Sequence, residues 1–129
     1  FAFQLPRNWN APSHAIIHEV VATSPHRAKL EPLLLHNPVH PPDYYYGLLK
    51  PYVSAIDIWE TEYLQVLDGE NAVAEWTKGS ILKPLLDALK DEAAVFYEQY
   101  AANVASSYPP RSDGKTLYPF RRLFVVARR

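Results

Sequence analysis

Bulky side chains alternate with small or polar ones over Phe1-Ala2-Phe3-Gln4-Leu5, and Pro6 follows, which predicts a short strand over residues 1–5. A lone strand leaves its backbone unpaired, so a partner distant in the chain is expected. Pro12 suits a first helical residue, and Ile16, Ile17, Val20 and Val21 recur at helical spacing to about Thr23. Pro25, Pro32, Pro38, Pro41 and Pro42 then confine residues 27–35 to short helical pieces with irregular connections. Asp43 is placed to cap a helix that carries Tyr44, Tyr45, Tyr46, Leu48 and Leu49 and is limited by Pro51.

Residues 55–67 are rich in branched and aromatic types and run into the turn Asp68-Gly69, which predicts a strand. Ala72, Val73 and Trp76, then Leu82, Leu85, Leu86 and Leu89, make two helical stretches that break near Gly79-Ser80, with Pro84 in the first turn of the second. Phe96, Tyr100, Val104 and Tyr108 fall four apart on one face of a further helix that ends at Pro109-Pro110. After Ser112-Asp113-Gly114, residues 117–126 read as a last strand. Strands separated by runs of helix make a mixed α/β pattern. Three such strands do not obviously close around one core, which fits the last third of a larger sheet.

Composition narrows the function. The 129 residues are 48% hydrophobic and 21% charged, an ordinary globular balance. The formal net charge of -1 supplies no basic field for nucleic acid. The absence of cysteine excludes thiolate metal sites and disulfides and fits the cytosol. No apolar run approaches the roughly 20 residues that span a bilayer. There is no methionine, and the first residues read as the inside of a strand, so the chain is expected to continue upstream, leaving a strand edge open to association at residues 1–5.

Four glycines cannot supply a P-loop or a G-x-G-x-x-G cradle. His14 and His18 share an i,i+4 spacing, but no glutamate lies between them as in H-E-x-x-H, and no metal site is assigned. No serine sits in a nucleophile elbow. Tyr44 to Tyr46, Trp59, Tyr63 and Trp76 bring phenolic and indole donors to apolar segments, as a small-ligand pocket needs, although such side chains are more often core. Lys78 and Lys83 bracket the helix break, and Arg121-Arg122 precede the apolar run of the last strand. Such cations could hold an anion, though surface charge serves solvation more often.

Four segments together resemble the C-terminal part of the trans-aconitate methyltransferase family, class I enzymes that use S-adenosylmethionine. They are Leu5-Pro6-Arg7-Asn8-Trp9-Asn10-Ala11-Pro12-Ser13-His14, Asp57-Ile58-Trp59-Glu60-Thr61-Glu62-Tyr63, Glu75-Trp76-Thr77-Lys78-Gly79-Ser80-Ile81-Leu82-Lys83-Pro84, and Pro119-Phe120-Arg121-Arg122-Leu123-Phe124-Val125-Val126-Ala127-Arg128. The resemblance runs from end to end. It implies that residues 1–129 are the substrate-side part of one Rossmann-like domain, with helical insertions that roof the substrate pocket. It also implies methyl transfer to a carboxylate of trans-aconitate or a similar small polycarboxylate. His14, Tyr45, Trp59, Trp76, Lys78 and Lys83 become the candidate substrate-binding residues, and no catalytic residue is assigned.

The family's Gly-rich cofactor turn has no counterpart in the chain, so S-adenosylmethionine is expected to bind upstream and the chain alone to be inactive. The complete enzyme is expected to be cytoplasmic and monomeric, with neither nucleic-acid nor membrane partners. The family reads Thr-Gly-Leu-Arg-Pro where this chain has Ser80-Ile81-Leu82-Lys83-Pro84, and lysine lacks arginine's planar fork for a carboxylate. Lysine there permits a different small acid as substrate. A stand-alone module that binds a small carboxylate or a protein partner without catalysis is the reading from another class.

Overall fold

The computed structural model describes residues 1–36 and 39–129. The strands are β1 (Ala2–Pro6), β2 (Ala55–Leu67) and β3 (Thr116–Arg128). The α-helices are α1 (Pro12–Thr23), α2 (Arg27–Leu30), α3 (Pro42–Leu49), α4 (Ala72–Lys78), α5 (Lys83–Leu89) and α6 (Ala93–Ser107). The fold is the expected mixed α/β, with a three-stranded antiparallel sheet in the order β1-β3-β2. Pro38, one of the expected breakers, lies outside the described residues.

The chain divides into two compact units, each described by itself. The first comprises Phe1–Asn8, Asn37–Gln65 and Pro119–Arg129, and holds β1, α3 and most of β2 and β3. The partner expected for β1 is β3, with Phe3 opposite Val125 and Leu5 opposite Leu123. The Ala127 N–H donates to the Phe1 carbonyl at 2.8 Å and the Arg7 N–H to the Arg121 carbonyl at 2.9 Å. Odd-numbered residues of β1 thus turn their backbone groups toward β3, and even-numbered ones turn theirs away. Pro6 is therefore the last residue of the strand and not a stop before it, because an outward position needs no N–H.

Phe3 and Leu5 share a sheet face with Leu123 and Val125, and Phe3 meets the ring of Tyr45 on α3 edge-on at 5.6 Å. Three cation–carboxylate pairs cross this unit: Arg7 with Glu60, Arg121 with Glu62, and Arg128 with Asp57. Asp43 does not cap α3. Pro41 holds the N-cap position, and Asp43 stands inside the first turn, where its charge meets the positive end of the helix.

The second unit comprises Trp9–His36 and Val66–Tyr118. Helix α6 is its centre, with α1, α4 and α5 packed against it and α2 against α1 and α5. The sequence explains why: Ile16, Ile17, Val20 and Val21 on α1, Leu85 and Leu89 on α5, and Phe96, Tyr100 and Val104 on α6 are all buried. Each such aliphatic or aromatic side chain contributes about 1.5–3 kcal/mol on leaving water. Tyr108, expected on the face of α6, instead caps its C-terminus. Between α4 and α5 the break forms at Gly79-Ser80, and the N–H groups of Ser80 and Leu82 both return to the Thr77 carbonyl.

Candidate functional site

The six candidate substrate-binding residues fall in both units. In the first, Tyr45 is half-buried, its ring is edge-on to Phe3, and its hydroxyl accepts the His40 N–H at 3.2 Å. Trp59 on β2 is 45% exposed and stacks flat on Phe124, with ring centroids 5.3 Å apart and planes 6° from parallel. An indole face spread on the sheet in this way is available to a planar ligand.

In the second unit, Lys78 and Lys83 each pair with a carboxylate of the same or the following turn of their own helix, and Lys78 also meets a ring on α6. The Lys78 ammonium lies 4.5 Å from the centre of the Tyr97 ring and 3.7 Å from the Glu75 carboxylate, which also accepts the Tyr97 hydroxyl. Burial first, then that bond to Glu75, pushes the Tyr97 phenol well above its ordinary value. Lys83 pairs with Asp87 at 2.8 Å. Exposed pairs of this kind are worth a few tenths of a kcal/mol and are readily exchanged for an anionic ligand.

His14 and Trp76 are joined by a buried hydroxyl cluster that the sequence did not single out. Ser13, at the start of α1, is fully buried. Its Oγ lies 3.0 Å from the Tyr118 hydroxyl and 3.1 Å from His14 Nδ1. Its N–H donates to the Tyr108 hydroxyl at 3.3 Å, and its carbonyl accepts the Tyr100 hydroxyl at 2.9 Å. The Tyr100 oxygen is also 3.1 Å from Thr77 Oγ1 on α4. Trp76 meets the ring of Tyr118 edge-on at 6.3 Å, and Trp9 meets His14 edge-on at 5.2 Å.

The electrostatic consequence falls on the imidazole. Burial, and then the proximity of His18, lower His14 to about 4, so it is neutral at physiological pH. Burial likewise pushes the Tyr100 phenol up, so it acts as a hydrogen-bond donor and not as an anion. His18, the other half of the i,i+4 pair, meets the His36 ring at 5.5 Å. Among the described residues no group of three His, Cys, Asp or Glu side chains is arranged to hold a metal.

A cavity of about 170 Å³ between the start of α4 and α6 is lined by Ala72, Val73, Ala101, Val104, Tyr108 and Thr116, among others, and Glu70 is its only charged lining residue. An apolar hollow with a carboxylate is unsuited to a polyanion. His14, with its half-buried, neutral polar edge, is the better candidate contact.

No protein-family model matches the chain. Curated relatives do match it. The trans-aconitate 2-methyltransferase of Azoarcus sp. (strain BH72) is 41% identical over 127 residues, which is 98% of this chain and 49% of that protein. The protein of the same name from Rhodopseudomonas palustris (strain BisB18) is 42% identical over 98% of this chain and 50% of its own length. That from Rhodococcus jostii (strain RHA1) is 43% identical over 98% and 51%. The chain is homologous to trans-aconitate 2-methyltransferases.

It spans about half the length of the trans-aconitate 2-methyltransferases it matches. Both the sheet and the helical unit with its hydroxyl cluster fall within this shared half. Among the described residues no helix is long and apolar enough to cross a membrane.

Proposed function

We propose that this chain is the acceptor-binding, C-terminal side of an S-adenosylmethionine-dependent methyltransferase that esterifies a carboxylate of trans-aconitate or a similar small polycarboxylate. The observation that carries this reading is identity above 40% across 98% of the chain with proteins of that name. A carboxylate oxygen is already anionic, so it needs no general base. What the acceptor side must supply is orientation and exclusion of water. Buried hydroxyls around Ser13, the neutral His14 and the indole of Trp76 suit that task, and the exchangeable ion pairs of Lys78 and Lys83 suit a polycarboxylate.

The residues present do not fit the methyl donor. The turn from β1 to α1 contains no glycine, and the turn from β2 to α4 contains only Gly69, so neither offers a close backbone approach to a nucleoside. The donor is assigned to the part of the relatives that has no counterpart here. The complete enzyme is proposed to act in the cytoplasm as a monomer.

Isothermal titration of S-adenosylmethionine and then trans-aconitate, into this chain and into a form extended upstream to the nearest methionine start, tests the reading. Binding and monomethyl ester formation confined to the extended form are the expected result. Donor binding by the 129-residue chain, or an extended form that methylates no small acid, overturns it.

A further inference from the structure

We propose that the hydroxyls of Ser13 and Tyr118 fix the imidazole of His14 in the tautomer with its proton on Nε2, so that His14 offers a neutral N–H donor to one carboxylate of the acceptor. The inference rests on the proposed function for the identity of the ligand, and on the geometry of the second unit for the tautomer.

Ser13 Oγ has one proton and two polar neighbours, the Tyr118 hydroxyl at 3.0 Å and His14 Nδ1 at 3.1 Å. A phenol is a more acidic donor than an aliphatic hydroxyl, and a bare imidazole nitrogen is a better acceptor than a phenol oxygen. The stronger sequence therefore runs from the Tyr118 hydroxyl to Ser13 Oγ, and from the Ser13 hydroxyl to Nδ1. Aligned bonds of this kind reinforce one another where water is excluded, and Ser13 and Tyr118 are both fully buried.

The relay is held in place from the other side. The Ser13 carbonyl accepts the Tyr100 hydroxyl, and the Ser13 N–H goes to Tyr108, so the backbone that carries Oγ is tied at both ends. With Nδ1 engaged, the single proton of a neutral imidazole belongs on Nε2. The lowered affinity of His14 for a second proton agrees with this. A neutral donor orients a carboxylate through a charge-assisted bond while leaving the reacting acid more nucleophilic than a full cation would. Ser13 and Tyr118 are thus positioning residues that act through His14.

The test has two readouts. The first is long-range proton–nitrogen NMR of the 129-residue chain with labelled histidine at neutral pH. A pyridine-type Nδ1 and a pyrrole-type Nε2 at His14 are expected, with Ser13→Ala and Tyr118→Phe each moving the shifts toward a tautomer mixture and Ser13→Thr restoring them. A protonated Nδ1 in the unmodified chain overturns the proposal whether or not any variant folds. So does an unchanged tautomer in both folded variants.

The second readout is methyl transfer to trans-aconitate by the extended enzyme. Ser13→Ala is expected to raise KM about tenfold, with kcat changed less than threefold and KM recovered in Ser13→Thr. An active enzyme whose KM ignores Ser13→Ala and His14→Gln overturns the carboxylate role. An unmodified enzyme that methylates no acid defeats the proposed function and with it the carboxylate role, while the NMR result judges the tautomer separately.

Discussion

Tyr100 shows how one hydroxyl can bind two helices to a third. It is buried on α6, donates to the Ser13 carbonyl on α1 and lies within hydrogen-bond distance of Thr77 Oγ1 on α4. Tyr100→Phe keeps the ring and so opens no large cavity, but it leaves the Ser13 carbonyl without this donor. The expected cost is about 1–3 kcal/mol in a urea unfolding curve of the chain. A loss below about 0.5 kcal/mol would show that the bond is not formed. His14 makes a prediction of the opposite character, because it is the uncharged form that folding favours. Its imidazole is lowered to about 4, whereas an unfolded histidine titrates near 6.5. Between these values the unfolded chain holds more protons, so stability rises with pH from about 4 to 6.5 and is lost as pH falls through that window. Partial exposure trims the effect to on the order of 2 kcal/mol. His14→Gln should flatten this part of the stability profile, and a profile that keeps its slope would refute the assignment.

Among the elements, α5 ends on a strained residue. Lys90 follows Leu89 with φ 52° and ψ -113°, a conformation in which the side chain crowds its own backbone. Such a residue stores about 1–3 kcal/mol, of which glycine recovers most while adding entropy to the unfolded chain. Lys90→Gly is therefore expected to raise stability by about 0.5–1 kcal/mol, read as a higher melting temperature, and a lower one would contradict the strained turn. Several helix positions were legible in the sequence because they depend on near neighbours. Pro12 starts α1, Pro84 sits in the first turn of α5, and Phe96, Tyr100 and Val104 mark the buried face of α6. The local pairing of the candidate cations was legible too, since Glu75 stands three residues before Lys78 and Asp87 four after Lys83. The hydroxyl cluster was not legible. Ser13 reads as an ordinary early helical residue, and its partners Tyr100 and Tyr118 stand 87 and 105 residues away, beyond any periodicity.

For the molecule as a whole, the decisive feature is the side of β1 that faces away from β3. The sheet order leaves β1 at an edge, and its even-numbered residues, Ala2, Gln4 and Pro6, direct their backbone groups outward. Pro6 already lacks an N–H there, so the remaining outward donors are those of Ala2 and Gln4. Among the described residues no strand pairs with them. An edge of this kind templates pairing with another chain, and the half-buried Phe3 and Leu5 and the exposed Phe1 beside it add apolar surface. The 129-residue chain is therefore expected to self-associate at high concentration, with a sedimentation coefficient that rises as the protein is concentrated. Gln4→Pro should suppress this. It removes an outward donor two residues from the proline that the strand already tolerates, while the inward bonds of Leu5 and Phe3 to β3 remain. Phe3 then precedes a proline, which favours the extended backbone it already has. A Gln4→Pro chain with unchanged circular dichroism and concentration-independent sedimentation places the association at this edge. Undiminished association in that variant would move it to β2, where Leu64 and Val66 lie open to solvent.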